Sequence, residues 1–208
     1  MRKLANDIWV HEHITYFEDG RELPLRLTAV RLSNKKLWIH APTPLTDVLK
    51  TQISKIGDVG YLCASNNLHN MFFMDWVKTY PQAEPWVSAG IPEKLADLNH
   101  YNVLKKNVWS DDFDATSMRR VPKFDETVFF HYKSKSLIVT DLVQHHTQKG
   151  VFLAPPLHRK GIIQDQKAFS DFISHIKKWD FNRIVVAHGD IIEVQAKHQF
   201  GRICELFI

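Results

Sequence analysis

Cysteine is scarce in this chain: Cys63 and Cys204 are the two in 208 residues. Two thiols cannot build a disulfide framework, so a reducing cytoplasm is the expected setting. Long apolar runs are missing too. No stretch reaches the 18 or more apolar residues of a membrane span, and none is expected. The opening MRKLANDIWV has basic residues but no apolar h-region, so no secretory signal is expected. Charge of one sign is also lacking, with 27 basic against 23 acidic residues and a net +4. The basic residues are scattered, apart from short pairs such as Lys35-Lys36, Lys105-Lys106 and Arg119-Arg120. That is not the footprint of a nucleic-acid binder. A G-x-S-x-G elbow is absent, which leaves a Ser/His/Asp hydrolase unsupported. G-x-G-x-x-G and Walker loops are absent as well, and nucleotide binding by those devices goes with them. The sequence has no internal repeat, low-complexity tract or linker.

What is present is an ordinary globular composition, 44% hydrophobic and 24% charged. The length suits a single α/β domain over residues 1–208 with a proper core. Strand-like runs rich in Val, Ile, Trp and Phe occur at Ile8–Ile14, Leu25–Leu32, Leu37–Ala41, Val59–Ala64, Trp86–Ala89, Val128–His131, Leu137–Thr140 and Ile184–Ala187. Thr127–Tyr132 and Ser136–Asp141 read as a tight hairpin. Helical periodicity marks Leu45–Ile56, with Thr43 or Thr46 as cap, and Leu68–Tyr80 after an Asn-Asn cap. It also marks Gln166–Trp179 after Asp165, with a stripe at 169, 172, 173, 176 and 179, and Val194–Phe207. This order predicts sheets covered by helices, a layered α/β sandwich.

Three of the strand runs are followed by polar residues able to bind metal. GYLCAS leads to Asn66 and then His69, SLIVT to Asp141, and RIVVA to His188. Strand ends in layered α/β folds share an edge where ligands gather. Two imidazoles and a carboxylate there would suit one metal. The alternative is that they are turn caps and hydrogen-bonded punctuation.

Other clusters invite the same question. His11 and His13 share a strand face, a chelating spacing that is more commonly a solvated face. Gln144-His145-His146 either lines the crevice or forms a flexible loop. His131 is expected to bond locally, and His40 ends its strand before Pro42 with no role assigned. NNLHNMFFMDW reads mainly as core, with an apolar wall beside the crevice as its other use. The stretch Gln148–Gly161 is expected to be a lid or a dimer contact. Cys63, within a buried strand, is expected to be inert.

LWIHAPTPLT, ASNNLH, ETVFFHYKSKSLIVTDL and WDFNRIVVAHGD, in this order, resemble an uncharacterised domain family allied to the metallo-β-lactamase superfamily. The likeness runs from about Leu37 to Asp190 and implies a four-layer αββα sandwich. Superfamily members use one or two metals to hydrolyse lactams, thioesters, lactones or phosphodiesters. Laid on GYLCASNNLH, the HxHxDH signature finds Ala64, Asn66 and Leu68 at its first His, second His and Asp; only its last His survives, as His69. The Pro-Gly-His element should fall near Val121–Glu126, where no His stands. The bridging Asp matches Asp141 and the final His matches His188. The first metal position is thus emptied of ligands, and the second keeps three of four.

A two-metal centre is therefore not expected. The resemblance implies at most one divalent ion (zinc, iron or manganese) on His69, Asp141 and His188, or none. Asp141 and His188 are the expected catalytic residues, with Asp190 orienting His188 or water, or else capping the following helix. Asn66, His145 and His146 are expected substrate contacts. The expected activity is hydrolysis of an ester, a lactone or a similar small molecule. The alternative is a metal-free binding module for a small molecule or a protein. A homodimer is compatible with either.

Overall fold

The computed structural model describes residues 1–91, 95, 97–104, 108–118, 125–146, 150–153 and 165–205. They fall into two compact units, Met1–Leu104 and Lys105–Ile208. No helix among the described residues is long and apolar enough to cross a membrane.

The first unit is a seven-stranded sheet whose spatial order follows the sequence. β1 (Arg2–Ala5), β2 (Ile8–Tyr16), β3 (Glu22–Arg31) and β4 (Leu37–His40) form an antiparallel meander. Its turns use left-handed residues, Asp7 at φ 58° and Lys35 at φ 70°. From β4 onward the pairing becomes parallel, through β5 (Val59–Ala64), β6 (Glu84–Val87) and the short β7 (Asn102–Val103). Parallel neighbours need a crossover, and helices α1 (Asp47–Ser54) and α2 (Phe73–Thr79) lie in the connections. Thr46 caps α1 as expected, its side chain accepting the Leu49 N–H at 3.2 Å. Leu27, Ile39, Leu49, Leu62, Phe73 and Trp76 anchor the core of this unit.

The second unit holds a four-stranded sheet of β8 (Phe113–Met118), β9 (Glu126–His131), β10 (Ser136–Ile138) and β13 (Arg183–Val185), in spatial order β13-β10-β9-β8. A separate pair, β11 (Val143–His146) and β12 (Gly150–Leu153), is antiparallel. Helices α3 (Gln166–Lys177) and α4 (Ala196–Glu205) belong to the same unit. The Asp165 carboxylate caps α3 through the Ala168 N–H at 2.9 Å. The expected α3 stripe is the buried face: Phe169, Phe172, Ile173, Ile176 and, just beyond, Trp179. The β9–β10 hairpin also forms, with Ser136 paired to His131.

Several expectations shift. Helix α2 starts at Phe73, not Leu68, and no side chain caps it, because residues 67–72 are spent on turns. Helix α4 starts at Ala196, six residues past Asp190, so Asp190 is not its cap. His145 and His146 lie on a paired strand instead of a loop. Within Gln148–Gly161, the residues Gly150–Leu153 are strand β12; the rest of that proposed lid lies outside the described residues.

Candidate metal centre

In the second unit, two strand ends converge through register. β10 and β13 run parallel with Ile138 opposite Val185. Asp141 and His188 each lie three residues beyond that matched pair, so equal steps carry both to one edge. The ladder persists past the strand ends, with the Val139 N–H bonding the Val185 carbonyl at 3.0 Å. His188 Nε2 comes to 3.4 Å from Asp141 Oδ1. Both residues are buried, 7% and 4% exposed. The Gln144 side-chain amide also donates to Asp141 Oδ1, at 3.2 Å.

Each of the two is held from behind. Glu126, fully buried at the start of β9, accepts three backbone N–H groups: Thr140 at 2.7 Å, Asp141 at 2.9 Å and Leu142 at 2.9 Å. On the other side, His145 brackets the His188–Asp190 turn. Its N–H bonds the His188 carbonyl at 3.3 Å, and its carbonyl accepts the Asp190 N–H at 3.3 Å. Its Nδ1 lies 3.1 Å from the Asp190 carbonyl, which makes Nδ1 the protonated nitrogen. Gly189 sits between at φ 85°, and a Cβ built there would stand 1.5 Å from the His145 carbonyl oxygen. Only glycine fits this approach. His146 is exposed and stacks on Phe152, with ring centroids 5.6 Å apart. Asp190 is exposed and contributes its backbone to the turn.

The first unit has its own polar edge, at the carboxyl ends of its parallel strands. His40 closes β4, is buried, stacks on Trp38 and places Nε2 2.7 Å from Ser65 Oγ. Burial, with the nearby charge of His69 second, pushes the His40 imidazole down to about 3. Asn66 follows β5 and is fully buried. Its side-chain oxygen accepts the Leu68 N–H at 2.8 Å, and its carbonyl accepts the His69 N–H at 3.1 Å. This turn presents His69 half-buried and Leu68 46% exposed.

The remaining candidates settle into local roles. His131 Nδ1 lies 2.7 Å from Ser134 Oγ, the local bond expected of it. His11 and His13 are half-buried on β2, and Glu12 between them pairs with Arg2 and Arg26. Burial first, then the chain's amino terminus and His13, lowers the basicity of His11. Of the apolar segment after His69, Phe73 and Trp76 are core and Met71 is exposed. Cys63 is buried, which raises its thiol well above the ordinary range and keeps it protonated.

Two residues escaped the sequence reading. Glu126 opens the apolar run TVFFH directly after Asp125, and no local signal sets one acid apart from the other. Gly189 lay inside the HGD triplet, where only a close backbone approach explains it.

No curated protein sequence matches the chain. Solved structures do. TMB-1 superposes with a TM-score of 0.69 at 15% identity, covering 99% of this chain and 96% of that one. The metallo-β-lactamase FIM-1 from Pseudomonas aeruginosa, in its mono-zinc form, gives 0.63 at 10%, covering 99% and 94%. The metal-soaked flavodiiron core of Flv1 from Synechocystis sp. PCC6803 gives 0.69 at 13%, covering 99% of this chain and 59% of that one. At such identities the likeness shows the fold, the αββα sandwich of the metallo-β-lactamases. The domain of unknown function DUF4336 matches residues 5–151, a span that includes His69 and Asp141 and stops before His188, and the chain belongs to that family.

Proposed function

We propose that the chain is a single-metal hydrolase acting on an ester, a lactone or a similar small molecule. The observation that carries this reading is the buried contact between Asp141 Oδ1 and His188 Nε2 at 3.4 Å. His69 is the proposed third ligand. Asp141 and His188 offer a carboxylate and an imidazole side by side in the second unit, and His69 joins them on the strength of the sequence resemblance. Two nitrogens and one carboxylate oxygen suit zinc, iron or manganese and leave positions open. FIM-1, which shares the fold, has a mono-zinc form. A divalent ion held there would supply Lewis acidity toward a carbonyl or a water molecule.

The chain's own groups supply the rest. Glu126 and Gln144 hold Asp141 in place, and the His145 bracket holds His188. His188 must be neutral to act as a ligand, so metal uptake competes with protons and weakens as the solution becomes acidic. His145 and His146, on the strand beside the pair, are the proposed substrate contacts, together with Asn66. Asp190 contributes through its carbonyl, which keeps His145 in one tautomer.

Metal analysis of protein purified without chelator tests the reading. One equivalent per chain is expected, lost in His188→Ala. A metal-free chain, with no hydrolysis of esters or lactones under added zinc, manganese or iron, refutes it. Unchanged folding of Asp141→Ala in that case favours a binding module without catalysis.

A further inference from the structure

We propose that Glu126 is a positioning residue for the carboxylate of Asp141. This rests on the metal reading above and names a part of the site that the ligand set does not contain. The side chain is fully buried, and each of its oxygens is used. Oε1 accepts the Thr140 N–H, and Oε2 accepts those of Asp141 and Leu142. Three consecutive amides converge on one carboxylate, so the backbone leaving β10 has a single path. Asp141 is the middle residue of that path. Charge-assisted bonds of this kind are short and directional, and buried networks that satisfy every donor hold one geometry.

The arrangement solves a problem of chain direction. β10 ends at Ile138 and β11 begins at Val143, which leaves four residues to turn. Thr140 and Asp141 are bends with buried amides. Those N–H groups need acceptors, and Glu126 provides them from the neighbouring strand. Both jobs, satisfying the turn and orienting the ligand, fall to one side chain fifteen residues upstream of Asp141. A glutamine in its place offers one oxygen and two N–H donors, so part of the amide set loses its acceptor.

The test is Glu126→Gln in the full chain, with zinc affinity read by competition against a chromophoric chelator. Thermal unfolding without metal and amide hydrogen exchange are read alongside. A ~10–100-fold loss of zinc affinity is expected, the range typical when a partner behind a metal ligand is removed. The metal-free fold should persist, with faster exchange confined to residues 140–142. Equal zinc affinity in variant and parent overturns the proposal. If the parent chain takes no zinc, the metal reading falls and exchange decides alone. Faster exchange limited to 140–142 then keeps Glu126 as the strut of the Asp141–His188 pair, and an unchanged pattern overturns it. If the variant does not fold, exchange in the parent chain decides: strong protection of these three amides supports the proposal, and rapid exchange overturns it.

Discussion

In the first unit, the polar residues after the parallel strands bond to close neighbours on the same edge: His40 to Ser65, and Asn66 to the Leu68 amide. In the second, Asp141 and His188 follow different strands and face each other, and the supporting bonds come from elsewhere in the unit, from Glu126 and His145. The contrast teaches that a polar residue after a strand is not by itself a site. It becomes one when its backbone is fixed by other groups and its side chain is turned toward a partner from another strand.

The sharpest way to break this contrast is Gly189→Ala. Its Cβ would meet a backbone carbonyl at 1.5 Å, and the left-handed φ adds strain. A loss on the order of 4 kcal/mol or more is expected from a clash that no side-chain rotation can relieve. Chemical denaturation measures it. A near-neutral outcome would mean that the His145 bracket does not hold His188.

Acid sharpens the other half. An unfolded imidazole takes up a proton below about 6.5, while buried His40 stays neutral down to about 3. Between those limits the unfolded chain holds the extra proton, so folding stability falls as the pH falls. This contribution vanishes above pH 6.5. At pH 5 one such group is worth ~2 kcal/mol. His40→Gln should therefore flatten the acid limb of a stability–pH profile, and an unchanged slope between pH 6.5 and 4 would contradict the burial argument.

The smallest effects are expected at helix starts, where the units behave alike. Thr46→Ala and Asp165→Ala each remove one capping bond, at a cost of ~1 kcal/mol in thermal unfolding. A much larger loss in one would show that the helices are not equally dependent on their caps.

Much of the framework was readable because its signals are local. Apolar β-branched runs gave the long strands, and Thr46 and Asp165 marked two helix starts. β8 was not read because Asp114, Thr116 and Ser117 dilute its apolar pattern; its strand character comes from pairing with β9. β11 was hidden for the same reason, its Gln-His-His being held by β12. Helix α2 was extended too far because Leu68 and Met71 fit a helical stripe, although both are exposed. Asp141 and His188 could be suspected from position alone. Glu126 could not, since nothing near it in sequence shows that a carboxylate will be buried against amides fourteen to sixteen residues away.

The parallel ladder of β10 and β13 has a consequence of its own. Since Ile138 faces Val185, the acid–imidazole couple depends on counting: both arms advance by the same number of steps. Inserting one residue in either arm would leave Thr140 or Ala187 at the vertex, deleting one would leave Leu142 or Gly189, and each change sends the wrong side chain inward. Matched changes in both arms would preserve it. A length polymorphism at this edge should thus occur in pairs or not at all, and the same offset offers a recipe for grafting the couple onto another parallel sheet.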